Sequence, residues 1–258
     1  MPSEDAFEPQ SSQKVYLIFG GTGGIGSVLA GSLAEAGHKV IVTGRDEARL
    51  RELNGLPNVD SYSVDITECG AIDQCVSKVF ERYGRIDGVA NCIGSLLLKP
   101  AHLVTDAEWN SIIDVNLTSS FKIVRASVGA MIKTGGSIVL VSSAAATVGL
   151  ASHEAISAAK AGIEGLAVAA AASYARRNIR VNCVAPGMVE TKLTRNLLAS
   201  ESGRRASEAM HALGRIGAPE DISSAIRWLL SSEAAWVTGQ VFSIDGGLTT
   251  VRPRVAAN

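Results

Sequence analysis

The sequence predicts a single α/β domain built on a doubly wound parallel sheet of about seven strands, with helices on both faces. Short apolar runs recur along the chain, and stretches of helical period separate them. The runs lack the polar alternation of a strand that has one solvent-exposed face. Strands that are buried on both faces and separated by helices pair in parallel, through right-handed crossovers. A chain of 258 residues supplies enough core for one domain of this kind.

The first half of the chain alternates between predicted strands and helices. The strands are VYLIF at Val15–Phe19, VIVT at 40–43, SYSV at 61–64 and GVA at 88–90. Each is short and contains β-branched or aromatic residues, which favours a strand. The helices are 25–36, 72–83 and 108–132. In these stretches apolar residues recur three and four positions apart, which predicts one buried face.

The second half continues the same alternation. Strands are predicted for SIVLVS at 137–142, RVNCV at 180–184 and VFSI at Val241–Ile244, and helices for 154–175 and 222–230. The predicted domain covers residues 14–250. The acidic opening 1–13 lacks the basic and apolar plan of a signal peptide and is predicted to be a disordered arm, and 251–258 is predicted to be a tail.

The composition favours small-molecule partners. With a net charge of −1 and with Lys and Arg scattered along the chain, no basic cluster predicts binding to nucleic acid or to an anionic membrane surface. No apolar run reaches the ~18 residues that span a bilayer. Cys69, Cys75, Cys92 and Cys183 form no CxxC pair, so they are interpreted as small buried residues in a reducing compartment, with no metal site. We expect a cytoplasmic protein, with organelle import through a removed targeting segment as an open alternative.

A glycine-rich segment, FGGTGGIG, follows the first predicted strand and opens the first helix. Such a turn lets backbone N–H groups and the helix dipole meet a pyrophosphate, with no Cβ atoms in the way. The alternative is an ordinary tight connection between a strand and a helix.

The spacing Gly20-x-x-x-Gly24-x-Gly26 resembles that of the short-chain dehydrogenase/reductase family, whose domain is of the Rossmann type, and the resemblance runs from residue 15 to residue 247. Further matching segments are VDI with Asp65, NCIG at 91–94, DVNLTSSF with Asn116, VLVSSAAATVG with Ser143, VNCVAPGMVET and VTGQVFSIDGG. The resemblance implies cofactor contacts at Gly20, Thr22, Gly23, Gly24, Ile25, Gly26, Arg45, Asp65, Ile66, Asn91, Gly94, Lys160, Pro186, Gly187, Val189 and Thr191. Phe19 departs from the family's usual threonine, which mainly fixes the turn.

The end of the second predicted strand, VIVTGRD, indicates which nicotinamide cofactor binds. A carboxylate there would select NAD(H) through the ribose hydroxyls. Thr43 and Gly44 leave the position uncharged, and the Arg45 guanidinium matches phosphate geometry. NADP(H) is therefore favoured over NAD(H). The alternative is that Arg45 only pairs with Asp46 or Glu47 at a helix start.

The resemblance also implies a catalytic set of Asn, Ser, Tyr and Lys, and one member is missing. Asn116, Ser143 and Lys160 match three positions, but Ile156 stands where the tyrosine is expected. The next tyrosine on that helix, Tyr174, would lie ~21 Å beyond Lys160 at ~1.5 Å per residue. The substitution is therefore not a shift of register.

His153 is the candidate replacement for the missing proton donor. If Ser152 caps the helix, His153, Ile156 and Lys160 share one helix face, and an imidazole can donate a proton near neutrality. The alternative is a His153 that faces solvent or lines the pocket without chemistry. Lys160 without its tyrosine is expected to be held by the ribose of a bound nucleotide, the alternative being a solvated surface lysine.

Residues 188–218 are irregular and mixed in sequence, and the resemblance implies a mobile lid over the substrate. Its candidate pocket residues are Leu193, Leu197, Leu198 and Met210, with Arg204 and Arg205 as candidate anion contacts. The alternative is a solvated amphipathic helix. The alanine-rich segment after Lys160 is expected to form a twofold interface in a homodimer or homotetramer, or to pack only on its own sheet.

Together these observations predict an NADP(H)-dependent oxidoreductase that acts on a small, largely apolar carbonyl or alcohol. Asn116, Ser143, Lys160 and His153 are the catalytic candidates, and Ile156 is expected to line the substrate pocket beside Ser143 and His153. Two alternatives stay open. One is a non-redox enzyme, such as a cyclase or isomerase, that keeps the nucleotide as a pocket wall, and the other is an inactive nucleotide-binding protein.

Overall fold

The computed structural model describes residues 13–252, so the predicted arm 1–13 and tail 251–258 lie almost entirely outside the described part. A parallel sheet of seven strands forms the centre of the domain, in the order β3-β2-β1-β4-β5-β6-β7. The strands are β1 Val15–Phe19, β2 Lys39–Gly44, β3 Val59–Ser63, β4 Gly88–Asn91, β5 Gly136–Val141, β6 Ile179–Pro186 and β7 Val241–Ile244. The predicted doubly wound α/β fold is confirmed.

Eight α-helices connect the strands within the described residues. They are α1 Gly24–Glu35, α2 Glu47–Asn54, α3 Ala71–Tyr83, α4 Asp106–Ile112, α5 Ser119–Met131, α6 Glu154–Tyr174, α7 Glu201–Met210 and α8 Pro219–Leu230. Two apolar clusters, one on each face of the sheet, hold the layers together. Helices α1, α2 and α8 contribute to one cluster, and α3, α5 and α6 contribute to the other.

Strands β1 to β3 are added toward one edge of the sheet and β4 to β7 toward the other edge, so the order of addition changes between β1 and β4. These two parallel strands lie side by side at the centre of the sheet. The backbone beyond β4 is tied to the end of β1, because Cys92 N donates a hydrogen bond to Phe19 O at 2.9 Å. Phe19 itself is fully buried in the core. Open α/β sheets bind ligands in the crevice that such a reversal leaves at the carboxyl ends of the strands. The glycine-rich turn after β1 opens into this crevice.

Three helical predictions need correction. The stretch predicted as one helix, 108–132, is two helices joined by a π-helical turn at Ile113–Thr118. Helix α2 was not predicted, because Leu50 and Leu53 are its only buried residues and the rest is polar. The region 188–218 is not wholly irregular, since it contains α7. The bounds of β1 and β7 are those predicted, and those of the other strands differ from the predicted ones by at most two residues, as at β3.

Helix α6 and its extension, Glu154–Arg177, are long and apolar enough to cross a bilayer, with a mean hydropathy of 1.3 over an 18-residue window. Lys160 interrupts the apolar run. The helix packs against β6 and buries one face in the domain, including Ile163 and Ala167. These contacts are those of a core helix in a globular domain.

The cysteines do not all fit their predicted role as small buried residues. Cys75 and Cys183 are buried, and burial raises the pKa of each thiol to about 12. Cys69 is exposed, because it lies on the loop before α3, and Cys92 is half-buried at the crevice. Among residues 13–252, no group of three His, Cys, Asp or Glu side chains is arranged to hold a metal ion.

Candidate active site

A cavity of about 620 Å³ opens at the carboxyl ends of the central strands. Its walls come from the start of α1, the turn after β4, the connection from β5 to α6, the first turns of α6 and the segment from β6 through α7. Leu96, Leu150 and Leu248 contribute to a lining that is mainly apolar. This volume suits a small-molecule ligand rather than a macromolecule.

Most of the predicted site residues line this one cavity. They are Gly23, Gly24, Ile25, Gly26, Gly94, Ser143, His153, Ile156, Lys160, Pro186, Gly187, Val189 and Thr191. The predicted residues outside its lining are Gly20, Thr22, Arg45, Asp65, Ile66, Asn91 and Asn116. Of the second group, Asn91 and Asn116 are buried, and Ile66 is buried in the apolar cluster that includes α3. Arg45 and Asp65 lie near the surface beyond β2 and β3.

The glycine-rich turn brings the start of α1 to the cavity wall. Hydrogen bonds from Gly23 N to Gly20 O (3.0 Å) and from Gly21 N to Thr43 O (2.8 Å) close the turn. A Cβ atom on Gly26 would lie 2.4 Å from Gly20 O, so only glycine permits this packing. No side chain caps the helix, and the N–H groups of its first turn are left for a ligand. The turn thus has the form of a pyrophosphate cradle.

Lys160 is a buried residue of the cavity wall and not a solvated surface lysine, since it is 6% exposed. Its Nζ donates a hydrogen bond to Val141 O at 2.9 Å. Burial lowers the pKa of the ammonium group to about 8, so it is mostly charged at neutral pH. An ammonium group with one protein acceptor has hydrogens left for ligand hydroxyls.

Asn116 lies behind the wall, in the π-helical turn, and its side chain is fully buried. Its Nδ2 donates to Ser95 Oγ (2.9 Å) and to Ile112 O (3.0 Å), and its Oδ1 accepts from Ser95 N at 3.2 Å. Ser95, which sequence reasoning missed, lines the cavity. Its position directly after Gly94 in the NCIG segment was the available signal. The Asn116 side chain therefore holds the turn after β4.

Ser143 follows β5 and begins the short 3₁₀ turn Ala144–Ala146. Its Oγ accepts a hydrogen bond from Ala145 N at 3.2 Å. The hydroxyl hydrogen remains to be donated to a ligand, because a serine hydroxyl both donates and accepts. Ser143 can therefore polarise an oxygen atom placed in the cavity.

His153, and not Ser152, is the N-cap of α6, so the predicted Ser152 cap is wrong. Ser152 instead adopts a left-handed backbone conformation with φ of 64°. His153 Nδ1 lies 2.8 Å from Ala151 O and carries a hydrogen toward it, which leaves Nε2 for proton exchange. The residue lines the cavity together with Ile156 and Lys160. It is half-buried rather than directed wholly into solvent.

Ile156 forms an apolar wall where the tyrosine is expected. It is 3% exposed and belongs to a small apolar cluster with Ile112, Ala155 and Ala159. The side chain at position 156 therefore gives the cavity an apolar surface but carries no group that can donate a proton.

Arg45 extends from the end of β2 with 74% of its side chain exposed. Its nearest carboxylate is Asp65, at 3.9 Å, whereas Asp46 caps α2 and Glu47 pairs with Arg51. Hydrogen bonds from Thr67 lower the pKa of Asp65. An exposed pair at this distance contributes only ~0–1 kcal/mol, so a phosphate could displace it.

Three of the four candidate pocket residues in the lid segment, 188–218, line the cavity. Leu193, Leu197 and Met210 line the cavity, whereas Leu198 is buried behind them. The candidate anion contacts Arg204 and Arg205 are both paired with carboxylates: Arg204 binds Glu190 through both of its terminal guanidinium nitrogens, and Arg205 pairs with Glu201. Neither arginine belongs to the cavity lining. His211, which the sequence did not single out, is buried at the end of α7 and does line the cavity.

The chain is similar to known proteins over most of its length. A family model described as enoyl-(acyl carrier protein) reductase matches residues 20–249. The 3-oxoacyl-[acyl-carrier-protein] reductase of Thermotoga maritima is 40% identical over 243 residues, covering 91% of this chain and 97% of the relative. A short-chain type dehydrogenase/reductase from Mycobacterium ulcerans has a TM-score of 0.87 at 30% identity, covering 93% of this chain and 91% of that structure. The structure of an NADPH-bound tyrosine-to-phenylalanine variant of ElxO has a TM-score of 0.87 at 27% identity. The match covers 93% of this chain and 100% of that structure.

Proposed function

The chain belongs to the short-chain dehydrogenase/reductase family of oxidoreductases, and from that premise we propose that it reduces or oxidises a small, largely apolar carbonyl or alcohol with NADP(H). One observation carries the proposal. The start of α1, the Lys160 ammonium, the Ser143 hydroxyl and an apolar lining meet in a single cavity. The NADPH-bound relative of similar structure supports the choice of cofactor.

The chain's own residues account for binding and for movement of a proton. The first turn of α1 would hold the pyrophosphate, and Lys160 Nζ would hold the nicotinamide ribose hydroxyls. When bound, the cofactor supplies or accepts the hydride. Ser143 would donate a hydrogen bond to the substrate oxygen, and His153 Nε2 would deliver the proton that this oxygen takes up on reduction. The apolar wall at Ile156 would exclude water from the reacting atoms.

The proposal is tested by mixing the purified protein with NADPH and a panel of ketones, aldehydes and 3-oxoacyl thioesters, and by following the absorbance of NADPH. The thioesters are included because the relatives are named for that substrate class. Consumption of NADPH with formation of the matching alcohol is the expected result. A matched Ser143→Ala variant should bind NADPH but lose turnover. Binding without turnover of any substrate in the panel would contradict a carbonyl reductase.

The apolar wall at Ile156 favours a second candidate function, a non-redox enzyme that keeps the nucleotide as part of the pocket wall. An isomerase or cyclase does not need the phenol that this position lacks. Product analysis under conditions in which NADPH is not consumed would separate it from the redox proposal. An unchanged substrate under both conditions would favour an inactive nucleotide-binding protein.

Arg45 should set the preference for NADPH over NADH. Its exposed guanidinium is held only by a long contact with Asp65, and a charge-assisted bond to a 2′-phosphate is stronger. We expect Arg45→Ala to narrow the difference in binding free energy between the two cofactors by roughly 1–3 kcal/mol. Titration calorimetry measures both affinities. Arg49→Ala is the matched control, because Arg49 pairs with Glu52 on α2 and lies outside the cavity. Equal affinities in the unmutated protein would contradict this assignment.

We further propose a homodimer or homotetramer in which α6 pairs across a twofold axis. Successive alanines on α6, including Ala169 and Ala172, are exposed beside Val168, which is 50% exposed. Small residues at successive turns let a second helix approach closely. Light scattering after gel filtration measures the assembly. A monomer at micromolar concentration would contradict the proposal. The cytoplasm remains the proposed location.

A further inference from the structure

His211 joins the lid helix to the chain segment that leaves β6. The residue directly follows α7 and is 4% exposed. Its Nδ1 lies 2.6 Å from Ser207 O, one turn back in α7, and its Nε2 lies 3.0 Å from Met188 N. Since a carbonyl oxygen can only accept and a backbone N–H can only donate, Nδ1 carries the hydrogen and Nε2 accepts. The two contacts therefore require a neutral imidazole with its hydrogen on Nδ1.

The ring is packed tightly between three segments of chain. A Cβ atom on Gly187 would lie 2.6 Å from His211 Nε2, so the backbone after β6 can approach this closely only at a glycine. On the other side, a Cβ atom on Gly246 would lie 3.5 Å from the Cβ of His211. The buried carboxylate of Asp245, beside Gly246, is itself held by Thr249 and by Gly247 N. These contacts leave the imidazole little freedom to move.

The segment held in this way forms part of the cavity wall. Gly187, Met188 and Val189 line the cavity, as does His211 itself. Val189 is further fixed by a backbone bridge to Gly217. An apolar side chain at position 211 would leave the Met188 N–H without its acceptor next to the cavity, which proteins avoid for buried donors. The position of this wall thus depends on the acceptor nitrogen of one histidine.

We infer that His211 is a positioning residue that fixes segment 187–189 to the end of α7 and so sets the cavity wall against which the nicotinamide end of the cofactor would lie. The inference rests on the proposed binding of NADP(H) for the identity of the ligand. The contact between His211 and Met188 does not depend on it, because it exists in the protein alone. The lid and the cofactor wall would then move together rather than separately.

Two variants separate the contacts of His211. In His211→Asn the side-chain amide lies near the place of Nδ1, so it can donate to Ser207 O but cannot reach Met188 N. In His211→Gln the terminal amide oxygen lies near the place of Nε2 and can accept from Met188 N. The two variants keep different contacts of the ring. Asn is also one methylene shorter than Gln, so the two are compared at matched melting temperatures, which exposes a difference in general packing.

The experiment combines hydrogen exchange of the Met188 amide in the cofactor-free protein with NADPH titration followed by fluorescence. In His211→Asn we expect the Met188 amide to exchange at least ~10-fold faster and the affinity for NADPH to fall at least ~10-fold, the effect of about one hydrogen bond. In His211→Gln both quantities should stay near those of the unmutated protein. Equal behaviour of the two variants, at matched melting temperatures, would overturn the inference. If either fails to fold, Gly187→Ala tests the same contact, since its Cβ must displace Nε2 and expose the Met188 amide. If the unmutated protein binds no NADPH, the proposed function fails, while the exchange rates still decide whether His211 holds Met188.

Discussion

Ile156→Tyr is expected to raise the rate of carbonyl reduction by ~10²–10⁴-fold, the range that a positioned general acid supplies. Ile156 lies one helical turn before Lys160 on the cavity side of α6. The Lys160 ammonium would lower the pKa of a phenol placed beside it, and Ser143 would hold the substrate oxygen. Because the cavity is open beside Ile156, a larger ring has room to extend into it. Initial rates with NADPH and the best substrate of the carbonyl panel measure the change.

The matched control for this substitution is Ile156→Phe, which adds the same ring without the hydroxyl. If the phenol donates the proton, the phenylalanine variant should gain nothing. A loss of stability shared by both variants would report only the cost of placing a ring among Ile112, Ala155 and Ala159. A folded, NADPH-binding tyrosine variant without any gain would mean that the cavity is built for a different reaction.

The sequence was sufficient for the fold because the signals that mark it are local. The central strands are almost wholly apolar runs, such as Val15–Phe19, whose five residues are all buried. A glycine-rich segment between a strand and a helix is also visible in sequence. Helix α2 lacks such a signal, since its contribution to the core is confined to two leucines. Helix α7 buries only Ser207, so its amphipathic pattern does not mark a core face.

The site was harder to predict, because its contacts join segments that are far apart in sequence. The pairing of Asn116 with Ser95 connects residues of the π-helical turn and the turn after β4. A π-helical turn has no residue pattern of its own, so the break between α4 and α5 is visible only once Asn116 Nδ2 is seen to bond to Ile112 O. His211 gave no signal either, since a histidine at the end of a polar helix is ordinarily solvated.

The absence of a phenol makes the source of the proton the central chemical question. Four side chains that can carry an exchangeable proton line the cavity near α6: Ser142, Ser143, His153 and Lys160. The Ser142 hydroxyl is already donated to Lys160 O and Glu164 Oε1 on α6. Lys160 is already committed to Val141 O and, in the proposed complex, to the ribose. The serine hydroxyl is too weak an acid to act alone near neutrality. The imidazole of His153 is left as the group whose Nε2 can deliver a proton to the substrate oxygen.

His153→Ala is therefore expected to lower kcat for reduction by at least ~10²-fold, while the Kd for NADPH stays nearly unchanged. His153 Nδ1 is engaged with Ala151 O, so only Nε2 can release a proton to the substrate. Turnover in the reductive direction should fall as pH rises, because the neutral imidazole cannot donate from Nε2. Steady-state kinetics across a pH series, with NADPH affinity measured separately, test both statements.

Two further variants make the test of His153 specific. His153→Asn keeps a donor near the place of Nδ1 for Ala151 O but has no Nε2, so it should be as slow as His153→Ala although the start of α6 is preserved. His102→Ala removes an exposed histidine outside the cavity and should leave kcat and its pH dependence unchanged. If His153→Asn and His153→Ala both retain full turnover with the same pH profile, the proton comes from elsewhere. A water chain between Ser95 and Lys160, or transfer from the substrate itself, would then be the better account, and Ile156 would be a wall shaped for that substrate.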